Sequence, residues 1–498
     1  MTLSTLPIAN PSDSIAQNNG GEWSSLEKFL FRIAFLFFII LIVPYQLSWY
    51  QKLWSSNSLF TFLNTLTGYR TNFYSIAGES GRWGFYSFVT WGIALGIAFG
   101  GAIVWTFISL KSKRKSYNEL YYWLRVLVRY RIALGIIAFG FLKLYPMQMP
   151  DPSISNLDTN FGDYNTYKIY WQIVGVSIWY EIVLGIVEIA AGILLFFRGT
   201  TALGAVLVAG VLYNIAHANL AYDGGVHVYS AYFVLLSLFL LIQYVPNLWK
   251  LLIKRENVIV SYYYPALKTK WQKRSFYSAK YILVFTFTIL FGILRYQVHY
   301  HDGRLKEPIN PGLSNATGYY NVSTFKLNNK EIPYSPIDSV RWQNVVLEKW
   351  STLVYKVYKP FSISLANGTP NPKDIDRSYE LAGIAGGRKF LYYQADTVKG
   401  ILVLKDKNRP ALQDGDDNSG KKTDKAKLIK ENLKKQAADS LVWTYSRPTK
   451  SRIIISGLNE NKDSIYVVLD KVEKNYPIKY NRAALNKQTS RLKIAQNH

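Results

Sequence analysis

Two acidic residues, Glu181 and Glu188, lie in an apolar stretch, where a charged side chain is costly to bury. The stretch covers residues 169–197 and reads IYWQIVGVSIWYEIVLGIVEIAAGILLFF. Seven residues correspond to two helical turns, so both carboxylates are expected on one helix face, about 10 Å apart. Paired carboxylates in such a segment predict proton handling or a pocket for a polar ligand.

The preceding apolar stretch, residues 120–146, offers two cationic partners, Arg131 and Lys143. They are about 18 Å apart by helical rise. If the two helices are antiparallel, Glu188 is expected closer to Arg131 and Glu181 closer to Lys143. Two alternatives remain open, namely structural ion pairs that clamp the helices, or a proton path or polar pocket. Gly185 and Gly192 lie near the acidic face and predict a close approach of another helix.

A second concentration of polar residues follows at YNIAHANLAYDGGVHVYS, residues 213–230. It contains a third candidate for proton handling, His217, and other polar side chains: Asn214, Asn219, Tyr222, Asp223, His227 and Ser230. His217, Asp223 and His227 are able in principle to bind a metal ion. The chain has only 5 histidines and no HExxH motif. Hydrogen bonds that cap a tight turn at Gly224 and Gly225 are therefore the preferred interpretation, and no metal is predicted.

Composition excludes several classes of protein. The chain has 498 residues, no cysteine and a formal net charge of +26. Without cysteine there is no disulfide framework, thiolate nucleophile or Cys-ligated metal cluster. No phosphate-binding loop, GxSxG or GxGxxG motif in its required context is present. A basic excess often indicates nucleic acid binding, but the long apolar blocks indicate a membrane protein instead.

The apolar blocks predict about seven membrane-spanning helices, because a span needs roughly 20 apolar residues. They are expected near residues 28–48, 84–108, 120–146, 169–197, 201–222, 227–246 and 276–298. Basic residues concentrate in the loops at 111–115 and 250–274, and such loops usually face the cytoplasm. This pattern predicts a cytoplasmic amino terminus, an inner-membrane location and a periplasmic carboxyl-terminal domain.

From about residue 300, short β-rich runs alternate apolar and polar residues, as in TGYYNVSTFKL, KWSTLVYKVY, FSISLA and SIYVVLDKV. Eight such runs predict a mostly-β barrel or sandwich. A polar insertion at 413–440 interrupts them. The chain is thus expected to comprise a polar cytoplasmic segment, 1–27; two helices, 28–118; a four-helix bundle, 119–250; a basic loop and seventh helix, 251–299; and the β domain, 300–498.

The central helices resemble the DoxX family, in the longer form common in Bacteroidota. The resemblance covers about residues 120–250. It rests on a series of short motifs in order: Tyr130-Arg131, Gly140 with Lys143, Pro146 with Gln148, Tyr180-Glu181, Glu188, Arg198 with Thr200, and Asn219 to Ser230. His227 stands where the family pattern has lysine, and the Tyr-Arg pair is inverted. A histidine at this position is able to titrate near neutral pH. The tail resembles the lipocalin-like domain of such proteins.

The resemblance implies a quinone-linked redox role, because the wider family includes a subunit of thiosulfate:quinone oxidoreductases. In this hypothesis Glu181, Glu188 or His217 would handle protons, and a separate envelope protein would supply electrons. The alternative is a membrane-anchored assembly or binding protein that acts through its periplasmic β domain. A proton-coupled transporter is a third option. The expected partners are the lipid bilayer and another envelope protein, with no nucleic acid.

Overall fold

The computed structural model describes residues 22–73, 84–111, 114–258, 263–265, 269–359, 361, 363, 370–408 and 440–478. The chain divides into two compact units. The helical unit comprises Met1–Leu144 and Val183–Arg295, and the barrel unit comprises Tyr145–Ile182 and Tyr296–His498. Residues 145–182, which were assigned from the sequence to the helix bundle, therefore cluster with the β domain.

Helices occupy most of each of the seven predicted apolar segments, and the short helices at 59–67 and 154–157 lie outside all of them. Their bounds are α1 Ser25–Ile42, α2 Leu47–Trp54, α3 Leu59–Thr67, α4 Val89–Ile108, α5 Asn118–Leu144, α6 Ile154–Leu157, α7 Thr166–Gly175, α8 Ile178–Leu195, α9 Thr201–Ala221, α10 His227–Leu241, α11 Val245–Leu252, α12 Lys270–Phe285 and α13 Phe291–Tyr296. Two five-residue π-helical segments, 286–290 and 297–301, continue α12 and α13 into one long helix.

Among the described residues, 4 helices are long and apolar enough to cross a membrane, and α10 with α11, bent by 70°, forms a fifth candidate. The four are Phe85–Lys111, Ile178–Leu195, Thr201–Ala221 and Lys270–His301. The prediction of apolar spanning helices followed by a β domain is confirmed. The expected number was about seven. The difference arises at α1 and α5, which are helical as predicted but carry at least three charged residues in any 18-residue stretch.

One expected span is shorter than predicted. Residues 169–197 form two helices rather than one, since α7 ends at Gly175 and α8 begins at Ile178. The spanning segment is α8 alone, with Glu181 in its first turn. α7, with only 10 residues, belongs to the barrel unit.

The β domain is an eight-stranded antiparallel barrel. Its strands are β1 Gly318–Leu327, β2 Lys330–Glu331, β3 Asn344–Leu347, β4 Thr352–Lys356, β5 Arg388–Asp396, β6 Ile401–Asp406, β7 Leu441–Thr449, β8 Arg452–Leu458 and β9 Ser464–Val472. Consecutive strands pair from β3 to β9, and β1 pairs with both β3 and β9, which closes the sheet. The two-residue β2 extends β1 outside the closed set. Closure removes exposed strand edges.

Apolar side chains fill the inside of the barrel. Alternate residues of β1, including Tyr320 and Val322, join Leu391 and Trp443 in one buried cluster. Alternation therefore gives an apolar interior, as the β-rich runs predicted. β3, with the sequence NVVL, was not predicted because four residues are too few to show alternation. The predicted insertion at 413–440 and most of the FSISLA run lie outside the described residues.

Candidate functional site

The central feature of the helical unit is a buried ion pair between Lys143 of α5 and Glu188 of α8. Lys143 Nζ donates to both carboxylate oxygens of Glu188 at 2.8 Å. The side chains are only 5% and 1% exposed. The pairing predicted from the sequence, Glu188 with Arg131 and Glu181 with Lys143, is therefore wrong.

The physical reason is the direction of the side chains. α5 and α8 touch through glycines: a Cβ on Gly185 would lie 2.6 Å from Gly140 O, and one on Gly192 would lie 2.5 Å from a side-chain carbon of Ile137. The predicted close approach at Gly185 and Gly192 is confirmed. Helical side chains tilt towards the amino terminus of their own helix. Lys143 and Glu188 consequently tilt towards each other, whereas the prediction compared only the heights of the Cα atoms.

Glu181 has a different role from Glu188. Its side chain is fully buried, and its Oε1 accepts hydrogen bonds from the backbone N–H groups of Gln148 and Met149, both at 3.1 Å. A carboxylate in the first helical turn also lies favourably in the helix dipole. Glu181 thus holds the chain that follows α5. The neighbouring Tyr180 is about half exposed.

Arg131 lies at the middle of α5. Its guanidinium donates to the carbonyl oxygens of Thr67 and Tyr69 and to Tyr229 Oη. Thr67 is the last residue of α3, whose final carbonyl groups have no partner within the helix. Arg131 therefore caps a short helix and, among the described residues, forms no ion pair.

The polar turn between α9 and α10 is built as predicted. Asn219 O accepts from the Gly224 N–H at 2.8 Å, and Asn219 Nδ2 donates to Ile215 O at 2.7 Å. Asp223 and Gly225 both have positive φ, 52° and 81°. These bonds make the turn a structural cap.

The remaining polar residues of this region have separate surroundings. His217 is exposed and stacks on Tyr213, while Asn214, Tyr222 and Asp223 are also exposed. The His227 ring lies 6.2 Å from that of Phe88, and Ser230 Oγ donates to Val226 O. Within the described part of the chain, no group of three His, Asp or Glu side chains is arranged to hold a metal ion.

Sequence reasoning missed the densest polar network, which we call the seam. It joins residues 145–182 to the β domain within the barrel unit. Backbone hydrogen bonds run from Asn165 N to Gly383 O, 3.0 Å, and from Ala385 N to Asp163 O, 2.7 Å. Gly383 has φ +71°, and a Cβ there would lie 2.4 Å from Asn165 Oδ1. The glycine-rich AGIAGG stretch at 382–387 was the available signal.

Buried charges reinforce the seam. Glu348 accepts from the N–H groups of Ile154 and Ser155, at 3.1 and 2.7 Å, and Arg388 donates to Asp158 at 2.7 Å with both side chains almost fully buried. Burial and the nearby charge of Glu380 raise the pKa of Glu348. These groups fix the segment rather than leave it free to move.

Lys168 is the most deeply buried cation of the seam. Its Nζ donates to Tyr379 O and lies 3.8 Å from the centre of the Tyr379 ring. Burial first, and then repulsion from Lys306, lower the pKa of Lys168 to about 7. α7 is outside the candidate membrane-spanning helices. Because its pKa is about 7, this amine can change charge near neutral pH.

Glu380 collects three donors beside a small cleft. Trp350 Nε1 donates to it at 2.5 Å, Thr352 Oγ1 donates at 3.0 Å, and Lys407 Nζ forms a buried ion pair with it. The cleft has space for about one water molecule and is lined by Asp151, Ser153, Asn156, Glu307, Pro308, Trp350, Tyr379 and Glu380. It is too small for a substrate, so the network acts as a clamp.

The fold and these sites define a polytopic helical protein of membrane type that carries a β barrel. The chain is 37% identical over 75 residues to the uncharacterized protein YwoB of Bacillus subtilis (strain 168). The similar stretch is 15% of this chain and 49% of YwoB, so the chain spans about half the length of that relative. No protein family profile and no solved structure matches the chain.

Proposed function

We propose that this chain is a DoxX-like integral protein of the bacterial inner membrane that presents its periplasmic barrel to another envelope protein. The observation that carries the proposal is the seam. Residues 145–177 lie between α5 and α8 in the chain, and within the barrel unit the seam fastens this segment to the barrel by buried contacts such as Arg388–Asp158. A barrel unit held together by such buried contacts suits a binding platform better than a carrier whose parts move against each other.

The surface of the barrel supports the same role. Its interior is occupied by apolar side chains, so binding would use the outside or an end. Exposed apolar residues gather between β2 and β3, where Tyr334 is 64% and Ile337 70% exposed. Tyr358, 62% exposed, is joined to this loop by a hydrogen bond from its N–H to Asp338 O, 3.0 Å. Clustered exposed apolar residues are typical of protein interfaces. We call Tyr334, Ile337, Val340 and Tyr358 the apolar patch.

The surroundings of the proton-handling candidates weigh against the quinone-linked alternative. Glu188 is paired with Lys143, Glu181 accepts two backbone N–H groups, and His217 is exposed against Tyr213. Each group therefore has a structural explanation of its own. A proton-coupled transporter would also need these carboxylates and is disfavoured for the same reason.

Purification in mild detergent, followed by mass spectrometry of proteins and small molecules, separates these roles. We expect a stoichiometric envelope protein with the wild type and with Glu181→Gln, and its loss from a Tyr334→Ser, Ile337→Ser variant. Deletion of residues 300–498 is a poorer test, because it would also uncover the buried side of 145–182. A stoichiometric quinone that disappears in Glu181→Gln would overturn the proposal and favour the redox role.

A further inference from the structure

The helical unit carries many more basic than acidic groups. Its described residues include 20 Lys and Arg against 6 Asp and Glu. Five of its arginines are buried, namely Arg32, Arg125, Arg129, Arg131 and Arg295, and none of them forms an ion pair with a described residue. Isolated buried charges are costly, so each needs another source of compensation.

For most of these arginines, a hydrogen bond to an oxygen atom compensates the cost of burying the charge. Arg125 donates to Leu240 O in the last turn of α10 at 2.7 Å, and Arg131 donates to the end of α3. Cations at helix carboxyl termini are favourable. Arg32 donates to Tyr117 Oη, and Arg295 donates to Asn64 Oδ1 at 3.0 Å. These contacts supply partial negative charge.

Arg129 is compensated less well. It is 8% exposed, and it donates to Thr201 Oγ1 at a long 3.3 Å. Its Nε is buried and has no hydrogen-bond partner among the described residues. A guanidinium has five N–H donors in a fork that matches phosphate. The available donors therefore suit an anion that the described residues do not provide.

Two further cations converge on Arg129 from other elements. Arg198 lies three residues before Thr201, the residue that Arg129 contacts, and Lys280 of α12 lies beside Phe197, next to Arg198 in the chain. The Lys280 ammonium lies 4.3 Å from the centre of the Phe197 ring, and the Arg198 guanidinium 4.7 Å from that of Tyr264.

The amino terminus of α9 adds to this positive potential. α9 has 21 residues and begins at Thr201, and the residue before it, Thr200, makes no side-chain cap. The first N–H groups of a helix lack intrahelical partners and favour anions. Arg129, Arg198, Lys280 and this helix start together form what we call the cationic site.

The position of the cationic site identifies its ligand. Arg198 lies in the turn that joins two membrane-length helices, α8 and α9, so this turn marks a surface of the membrane. The aromatic residues beside it, Tyr264 and Tyr281, are exposed as in an interfacial belt. Basic pockets between membrane helices on the cytoplasmic side bind anionic headgroups. The basic loops place this end on the predicted cytoplasmic side.

We propose that Arg129, Arg198 and Lys280 bind the phosphate of an anionic phospholipid headgroup at this membrane surface. The same chemistry would recognise a free phosphate. The position of the site at the membrane surface favours a phosphate that belongs to a lipid. The inference is independent of the proposed binding role of the barrel.

The full chain, purified in mild detergent, is titrated with phosphatidylglycerol and examined by native mass spectrometry. Arg198→Gln and Lys280→Gln should each weaken lipid binding by about fivefold or more, the effect of one basic residue near an anionic headgroup. Arg129→Gln should do the same if it folds. The control variant is Lys273→Gln, which changes an exposed residue of α12, the helix that carries Lys280. It should bind the lipid as tightly as the wild type.

Control ligands separate the two sources of phosphate. Diacylglycerol, which has the acyl chains without phosphate, should not compete, and inorganic phosphate should compete only weakly. Equal phosphatidylglycerol binding by wild type, Arg198→Gln and Lys280→Gln would overturn the proposal. Inorganic phosphate that binds as tightly as the lipid would overturn the assignment to a lipid and indicate a soluble anion.

Discussion

At the scale of single residues, most of the described buried charges, unlike Arg129, have contacts that explain their positions. Lys143 and Glu188 neutralise each other, and Glu181 satisfies two backbone N–H groups. A buried pair is balanced only while both partners are present. This property makes the structural role testable.

Glu188→Gln should destabilise the helical unit, because it leaves the Lys143 ammonium without a counter-ion in an apolar core. We expect a loss of about 3–5 kcal/mol in the free energy of unfolding, measured by thermal or denaturant unfolding in detergent. The double variant Lys143→Met, Glu188→Met should recover most of it. If Glu188→Gln is as stable as the wild type but loses quinone or a redox activity, the structural role is wrong.

The charge of Lys168 predicts a dependence of stability on pH. Burial lowers its pKa to about 7, whereas the unfolded chain keeps a lysine pKa of about 10.4. Between these values the unfolded state binds the extra proton, so stability should increase as the pH rises from 7 towards 10, by up to ~1.4 kcal/mol per pH unit. Below pH 7 both states are protonated, and the contribution becomes constant at its least favourable level.

Lys168→Met provides the comparison for that slope. Between pH 7 and 10 the unfolding free energy of the wild type should rise relative to that of the variant, which lacks the titrating amine. Tryptophan fluorescence during denaturant unfolding measures both values. Parallel pH profiles for the two proteins would show that Lys168 stays charged, as Glu380 nearby would favour.

At the scale of elements, glycines set the distance between α5 and α8. Gly185→Ala would place a Cβ 2.5 Å from the backbone nitrogen of Leu144, and backbone atoms cannot move aside cheaply. The melting temperature should therefore fall. Gly96→Ala on α4 meets no atom within 4 Å and should leave stability unchanged or slightly higher, since alanine favours helices by about 0.5–1 kcal/mol. Similar effects of the two changes would contradict the packing.

The seam is also open to a test at this scale. Asp158→Asn removes the buried carboxylate that binds Arg388 and Lys474, so amide hydrogen exchange at residues 150–165 should become faster. Asp470→Asn is the matched control, because its partner Arg452 and Asp470 are both substantially exposed and exposed pairs contribute little. Unchanged exchange in Asp158→Asn would mean that the backbone contacts alone hold the segment.

The helices and strands could be predicted from the sequence, whereas the contacts between distant residues could not. Apolar length identified the long helices but not the short α3 and α6, and alternation identified seven of the eight barrel strands in outline, because both signals are local. The partner of Glu188 depends on side-chain direction across two helices, and the seam joins residues over 200 positions apart, such as Asp158 and Arg388. No local pattern encodes such contacts. The AGIAGG stretch marks only that a close backbone approach is needed.

At the scale of the whole molecule, the chain combines apolar helices of membrane-spanning length with an eight-stranded barrel. Interior packing makes the barrel a solid body, and the apolar patch gives it a surface suited to a protein partner. The proposed function requires this surface to bind another envelope protein.

Site-specific photo-crosslinking in intact cells tests whether this surface binds a protein. A photoreactive amino acid replaces Tyr334 or Tyr358 in the apolar patch, and, as the control, Val398, which is 95% exposed in the turn between β5 and β6. We predict one dominant protein adduct at Tyr334 and Tyr358 and none at Val398. Equal, weak adducts at all three positions would contradict the binding role. The redox role of Glu181 and Glu188 would then be the hypothesis to test.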